Sequence, residues 1–313
     1  MTARRIRSNP PATSSFPELT TGPLRSLLFT PGNSVDKLRK ALHLGADCLI
    51  LDLEDSVPEM DKSAARSRVR GILESAPSGS PFLLVRINCV SSPHGEKDLK
   101  AVVATGLAAI VLPKCHSSEV VVAADRMVNQ EEKSSGLAPG SISFVLLIES
   151  AKALLEAAAM VQASRRVIAL ALGAEDYCLD MGIARTPSGA ELAYPRAVLA
   201  VTARAYGLLG IDAVFTDFKD TIGLIKDAQN AKAAGLSGKL AIHPTQIDSI
   251  HSVFSPQPTE IDAAKRILES VSAGNIDRVG AASLDGKMID RPVIERSRRL
   301  LALHEQLMKK NSK

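Results

Sequence analysis

The sequence predicts an α/β protein folded as a (β/α)8 TIM barrel with a C-terminal helical lid extension. Three observations carry this expectation. From residue 25 onward, eight short aliphatic runs alternate with segments of helical periodicity, the pattern of parallel βα units. Those eight units fit within about 220 residues, a compactness that favours closure into a barrel, a fold of about 250 residues as a rule. The chain is 45% hydrophobic but only 3% aromatic, and it has no Trp, so its interior must be aliphatic, as barrel interiors are.

The strand candidates, in order, are Arg25–Phe29, Cys48–Leu53, Phe82–Ile87, Ala109–Leu112, Phe144–Ile148, Val167–Leu172, Ala213–Phe215 and Lys239–Ile242. Their continuous apolar character suits strands buried on both faces. Between them, apolar stripes at helical spacing mark the helices: Val35, Leu38, Ala41 and Leu42; Ala64, Val69 and Ile72; Ile222, Ile225 and Ala228. A long helix is expected over residues 190–209, and a further stripe runs through Ile261, Ala264, Leu268 and Val271. Three glycine-led triplets, at Gly45, Gly106 and Gly210, are expected to end a helix just before a strand. A doubly wound open sheet is the alternative, because strand order is invisible in one sequence. The absence of a G-x-G-x-x-G or G-x-x-x-x-G-K-[ST] loop after any strand weakens it. Past the eighth unit, residues 273–291 read as a loose Gly-rich stretch, followed by a helix over about 292–309. The expected organisation is a disordered tail over 1–22, a catalytic barrel over 23–272, and a lid segment with its helix over 273–313.

The formal net charge of +4 comes from the ends. Arg4, Arg5 and Arg7 stand near the start and Lys309, Lys310 and Lys313 at the finish, which leaves the body close to neutral. Such a body, without aromatic–basic clusters, argues against nucleic-acid binding. No apolar run reaches the length of a membrane span. The first 20 residues lack the apolar core of a secretory signal. They are rich in Arg and Ser like an organelle transit peptide, but Pro10-Pro11 spoils a helix there. Cys48, Cys89, Cys115 and Cys178 form no C-x-x-C pair, so reduced thiols in a cytoplasmic protein are expected.

Barrel chemistry sits at the C-terminal ends of the strands, and here those ends are polar. Asp52, Glu54 and Asp55 follow strand two, Arg86 and Asn88 strand three, and Lys114 strand four. Glu149 and Ser150 follow strand five, Gly173, Glu175 and Asp176 strand six, Asp217 and Lys219 strand seven, and His243 strand eight. Ser34, Ser117 and Ser150 suit helix caps, and His243 suits a structural role at the start of the next helix. Glu149 and Asp176 end adjacent strands, about 4.8 Å apart in any sheet, so their carboxylates can converge on one ion. Without His or Cys beside them, a hard cation such as Mg²⁺ fits better than Zn²⁺. A salt-bridge network with Arg86 and Lys114 is the competing account. A Schiff-base role for Lys114 is a further rival, which would need a depressed pKa.

The segments RSLLFTPGN (25–33), LDLEDSV (51–57), VRIN (85–88), LPK (112–114), IES (148–150), GAEDY (173–177), AIHPTQ (241–246) and DGKMIDRPV (285–293) together resemble the citrate lyase β-subunit-like family, which includes malyl-CoA and citramalyl-CoA lyases. The resemblance spans residues 25–308. It implies Glu149 and Asp176 as Mg²⁺ ligands and Arg86 as the arginine that binds the substrate. Glu54 and Asp55 would bind metal waters or orient Arg86, and Gly173, Ala174 and Glu175 would offer backbone N–H groups to a substrate carboxylate. Phe29, Pro31 and Lys37 lie where the CoA nucleotide runs. Asp290, rather than Asp285, matches an aspartate supplied by a neighbouring subunit's lid, which implies a homo-oligomer, a trimer or hexamer. Ser150 stands where Thr is common in the family.

The implied reaction is a retro-Claisen cleavage of a 3-hydroxyacyl-CoA to acetyl-CoA and a 2-keto acid. The metal would supply Lewis acidity to the hydroxy acid end, Arg86 would counter developing charge, and Asp290 would move a proton at the acetyl methyl carbon. The alternatives are a citrate lyase β subunit acting on a citryl thioester of an acyl carrier protein, and a CoA-independent 2-keto acid aldolase.

Overall fold

The computed structural model describes residues 23–274, 281–284 and 287–311, together with Leu19; the expected tail otherwise lies outside the described residues, as does Asp285. Contacts divide the chain into two compact units, between His251 and Ser252.

The first unit is a closed barrel of eight parallel strands in sequential order, so the doubly wound alternative does not apply. The strands are β1 Ser26–Pro31, β2 Cys48–Asp52, β3 Phe82–Arg86, β4 Leu107–Leu112, β5 Ser143–Ile148, β6 Val167–Leu172, β7 Leu209–Asp212 and β8 Gly238–Ala241. Strand β8 pairs back onto β1 through Leu27 and Leu240. Ile50, Leu84, Val111, Val145, Leu147, Ala171, Ile211 and Leu240 belong to one buried core cluster. That cluster holds aliphatic side chains and Cys48, with Phe29 and Phe82 partly buried against it, as the composition requires.

The seventh strand corrects the expectation. It runs over Leu209–Asp212, ahead of the 213–215 segment, and Gly210 lies inside it. The preceding helix is a short 3-10 turn, Ala190–Leu192, followed by an α-helix at Ala193–Ala205. Gly207, with φ of 69°, is the residue that takes the left-handed conformation after it, which Gly alone adopts without steric cost. Asp212 disguised the strand, because a charged residue reads as a turn. Its carboxylate is buried, paired with Arg196 at 2.8 Å and with Lys239, its register neighbour on β8, at 2.5 Å. Asp227 completes the set, at 2.6 Å from each of the same two cations. Two anions and two cations thus neutralise one another between β7, β8 and the helices Ala193–Ala205 and Thr221–Ala233. Removing one member strands a buried charge. Lys239→Met is expected to lower unfolding free energy by about 3–5 kcal/mol. Urea unfolding checks this, and a loss under about 1 kcal/mol would refute it.

In the second unit, helices Pro258–Gly274 and Arg291–Asn311 flank an antiparallel pair, β9 Ala281–Leu284 and β10 Lys287–Asp290. Ile289 and Ile294 are buried there against Ile267, Leu268 and Val271. The stretch expected to be loose therefore contains two strands. The Asp285-Gly286 dipeptide between them is a hairpin signal in its own right. No helix among the described residues is long and apolar enough to cross a membrane, and the four cysteines form no disulfide.

Candidate active site at the barrel mouth

Asp52 and Arg86 are register partners at the last positions of β2 and β3. Their side chains meet in a two-point fork, with Arg86 Nε and Nη2 each donating to Asp52 at 2.7 Å. Asp52 also accepts from the Glu54 N–H at 3.0 Å and from the Ser56 N–H and hydroxyl at 3.1 and 2.5 Å. Although burial opposes ionisation of Asp52, the Arg86 guanidinium and these donors together hold its carboxyl below the usual range. The Arg86 guanidinium carbon lies over the Phe29 ring, 4.8 Å from its centre, a cation–π contact. Arg86 Nη1 is left to face Glu54 at 3.2 Å and Asp55 at 3.3 Å.

Glu54 is 5% exposed. Its oxygens pair with Arg86 and, at 2.8 Å, with Lys114 Nζ, but no aligned hydrogen bond reaches either oxygen. Burial pushes its pKa up against the pull of those cations. The Glu54 carboxylate pushes the Lys114 ammonium up in turn, which is the reverse of what a Schiff-base lysine needs.

Lys114 holds the one positive φ recorded for a non-Gly residue among the described residues, 53°. This left-handed turn directs its backbone N–H at Glu149 Oε2, 2.7 Å away. A strained backbone of this kind at a strand end is characteristic of functional sites. Glu149 is 6% exposed. Burial pushes its pKa up to about 8, the Lys114 N–H opposes that, and the charges of Glu54 and Asp176 add to it. Gly173 lies against the Glu149 side chain, and a Cβ there would stand 2.3 Å from Glu149 Cγ. Its N–H donates to Ile148, and it N-caps the helix Ala174–Asp180, which carries Asp176 in its first turn. The Ala174 and Glu175 N–H groups belong to that first turn, where a helix leaves donors without intrahelical partners. The Glu175 side chain turns to Arg185, at 2.5 Å.

The mouth thus crowds Asp52, Glu54, Asp55, Glu149 and Asp176 around two cations, Arg86 and Lys114. Burial first, and then the charges of Glu54 and Asp176, disfavour the ionised form of Glu149, and a cation bound beside it would offset both. Among the described residues no three His, Cys, Asp or Glu side chains form a metal cage. Two carboxylates with retained waters suit Mg²⁺, and Glu149 and Asp176 would supply them.

Other polar residues at the strand ends serve the scaffold. Asn88 accepts from Lys62 at 2.8 Å and donates to Asp98 and to the Leu53 carbonyl. With Lys62, which donates to the Leu53 and Glu54 carbonyls, it fastens the 53–54 backbone. Asp217 accepts from the Lys219 N–H in an exposed turn. His243 caps the 3-10 turn Pro244–Gln246 and stacks on Phe218 at 4.6 Å. Ser34 and Ser150 cap through their hydroxyls, whereas Ser117 stands at a cap position without that bond. Pro31 is the register partner of Asp52 at the end of β1, and Lys37 is exposed on the helix Val35–Ala41. Asp290 closes β10 in the second unit and accepts from the Val293 N–H at 3.2 Å. Sequence alone assigned no role to Asp52 or Ser56. The available signal was their spacing, a carboxylate followed at i+2 and i+4 by donors it can bind locally.

Comparison with known proteins places these residues in context. The family described as HpcH/HpaI aldolase/citrate lyase matches residues 25–244. The citrate lyase subunit beta of Escherichia coli K12 is 35% identical over 292 residues, covering 93% of this chain and 97% of that protein. The mitochondrial citramalyl-CoA lyase of Rattus norvegicus is 30% identical over 310 residues, covering 96% and 91%. The crystal structure of CitE from Mycobacterium tuberculosis in complex with magnesium, acetoacetate and coenzyme A matches with a TM-score of 0.74 at 30% identity, covering 90% of this chain and 97% of that one.

Proposed function

We infer, from the premise that this chain belongs to the HpcH/HpaI aldolase/citrate lyase family, that it is a magnesium-dependent carbon–carbon lyase. Its substrate on this reading is a 3-hydroxyacyl-CoA of the citramalyl-CoA or malyl-CoA type, cleaved to acetyl-CoA and a 2-keto acid. The observation that carries the reading is the buried carboxylate surplus around Arg86, with Glu149 pushed up to about 8. The relatives named citramalyl-CoA lyase, and the neighbour solved with magnesium and coenzyme A, support it.

Glu149 and Asp176 would hold Mg²⁺, which when bound supplies Lewis acidity toward the oxygens of the hydroxy acid. Arg86, kept charged by Asp52, offers its Nη1 end to the oxygen on which negative charge develops. Lys114 and Asp55 hold Glu54 and Arg86 at the rim of the same mouth. Backbone N–H groups of Ala174 and Glu175 add neutral donors for the keto acid. Phe29, Pro31 and Lys37 mark the side on which the CoA nucleotide would run. As the bond breaks the substrate hydroxyl loses its proton to water and becomes the keto oxygen, and Asp290, brought by a neighbouring copy in a homo-oligomer, would deliver a proton to the acetyl methyl carbon, so the step is proton-neutral overall. Asp290→Asn is expected to reduce kcat by about 10²–10⁴-fold, the usual contribution of a placed acid, with Mg²⁺ affinity unchanged. Normal turnover by this variant would remove Asp290 from the mechanism.

A second reading has one observation in its favour. Relatives named citrate lyase subunit beta reach 35–36% identity, above the citramalyl-CoA lyases at 30%. On that reading the thioester is carried by an acyl carrier protein. The deciding experiment follows pyruvate or glyoxylate release from citramalyl-CoA or malyl-CoA with Mg²⁺, and with EDTA as the control. Release abolished by EDTA supports the CoA lyase. Silence on both, with cleavage of a citryl carrier-protein thioester, selects the subunit reading.

A further inference from the structure

We propose that Asp52 is a positioning residue that aims Arg86, and that it thereby decides which edge of the guanidinium the substrate meets. A guanidinium offers donors along a side edge, Nε with Nη2, and along an end edge, Nη1 with Nη2. Asp52 takes the side edge with both oxygens, at 2.7 Å each. The guanidinium carbon lies over the Phe29 ring, 4.8 Å from the ring centre. The end edge is the less tightly held one: its Nη1 donates to the half-exposed Asp55 at 3.3 Å and lies 3.2 Å from Glu54. Arg86 therefore approaches substrate end-on.

Asp52 is built for holding rather than for reacting. It is 1% exposed, and its acceptor sites are filled by the two Arg86 donors, the Glu54 and Ser56 N–H groups and the Ser56 hydroxyl. Bonds to the residues at i+2 and i+4 fix the carboxylate to the loop that carries Glu54 and Asp55. One short segment, 52–56, thus sets both the anchor behind Arg86 and the carboxylates in front of it. Neutralising the anchor leaves the guanidinium held by its Nη1 contacts with Glu54 and Asp55 alone, free to pivot about them and away from where charge develops. Displacement of a catalytic group by about 1 Å can cost 10²-fold in rate.

What Arg86 binds rests on the lyase reading above; that Asp52 aims it does not. The test uses Asp52→Asn, Arg86→Lys and the double variant in full-length protein, with kcat and KM on the acyl thioester. It adds ¹H–¹⁵N spectra of arginine-labelled protein, in which the Arg86 Nε–H signal is identified by its loss in Arg86→Lys. Asp52→Asn is expected to lower kcat/KM at least about 100-fold. The double variant should match Arg86→Lys within about twofold, because Asp52 acts through Arg86. The Nε–H signal should shift and exchange faster with solvent once its partner is neutral. Activity of Asp52→Asn within about threefold of the parent, or losses that multiply in the double variant, would overturn the proposal. If the parent cleaves no thioester, the lyase reading fails and the spectrum decides alone, an unmoved Nε–H signal overturning the positioning role. If Asp52→Asn does not fold, Ser56→Ala takes its place. It removes a 2.5 Å support of the carboxylate and should move the same signal, with a loss of about tenfold or less; no movement would count against the proposal.

Discussion

Glu149→Gln protein is expected to fold as the parent does and to lose carbon–carbon cleavage by at least about a thousandfold. The loss follows from the several kcal/mol that a Lewis-acid metal contributes, at tenfold in rate per about 1.4 kcal/mol. Gln keeps the shape and can still accept the Lys114 N–H bond, so the change isolates charge. Isothermal titration with Mg²⁺ reads the cause directly. In the parent, burial and the charges of Glu54 and Asp176 push Glu149 up to about 8, so below that pH the ion must displace a proton. Mg²⁺ affinity should rise about tenfold per pH unit toward pH 8 and level off above it; in Glu149→Gln that slope should vanish. The metal-free protein should respond in the opposite sense. A carboxyl raised from about 4.5 to about 8 on folding stabilises the fold fully below pH 4.5, and that stabilisation is lost as pH rises to 8. Thermal midpoints of parent and variant, compared from about pH 5 to about pH 8.5 in EDTA, should diverge accordingly. Full Mg²⁺-dependent turnover by the variant would sink the assignment of Glu149 as a ligand.

The second large effect needs only one methyl group. Gly173→Ala is expected to lower kcat/KM by at least about 100-fold, the scale of a misplaced catalytic group. The backbone at Gly173, φ −93° and ψ 82°, demands no special residue, so the reason for Gly is space. An added Cβ would stand 2.3 Å from Glu149 Cγ and 2.9 Å from its Oε1. Cγ is not the free end of a side chain, so Glu149 must leave its rotamer and give up the 2.7 Å bond from Lys114. The fold should survive with a cost of about 1 kcal/mol, since Ala is a poorer N-cap than Gly. Unchanged circular dichroism with collapsed Mg²⁺ affinity is the expected pair of results. A Gly173→Ala protein that binds the ion and turns over normally would show that Glu149 is not held by this contact.

Why some of this was legible in the sequence and some was not has a physical basis. Seven strands announced themselves as aliphatic runs because both faces of a barrel strand are covered. Strand β7 did not, since Asp212 interrupts the run and its partners are remote, Arg196 lying 16 residues before it and Lys239 27 residues after it. Glu149, Asp176 and Arg86 stood out because chemistry at barrel strand ends is a topological rule. The Asp52–Arg86 fork did not, because a separation of 34 residues carries no trace of which side chains face each other until the register is known. Nor does any local signal mark the turn at Lys114: Lys is not a residue that favours positive φ.

That turn also bears on how the site can drift. Position 114 performs two separable tasks, one through its backbone N–H toward Glu149 and one through its ammonium toward Glu54. Asn tolerates the left-handed region far better than most residues, and Lys and Asn codons differ at a single nucleotide. One base change could therefore preserve the backbone task, relax the conformational strain and delete the charge. In a laboratory lineage selected for altered thioesters, position 114 is thus a low-barrier exit from the parental charge balance, reachable without first dismantling the scaffold.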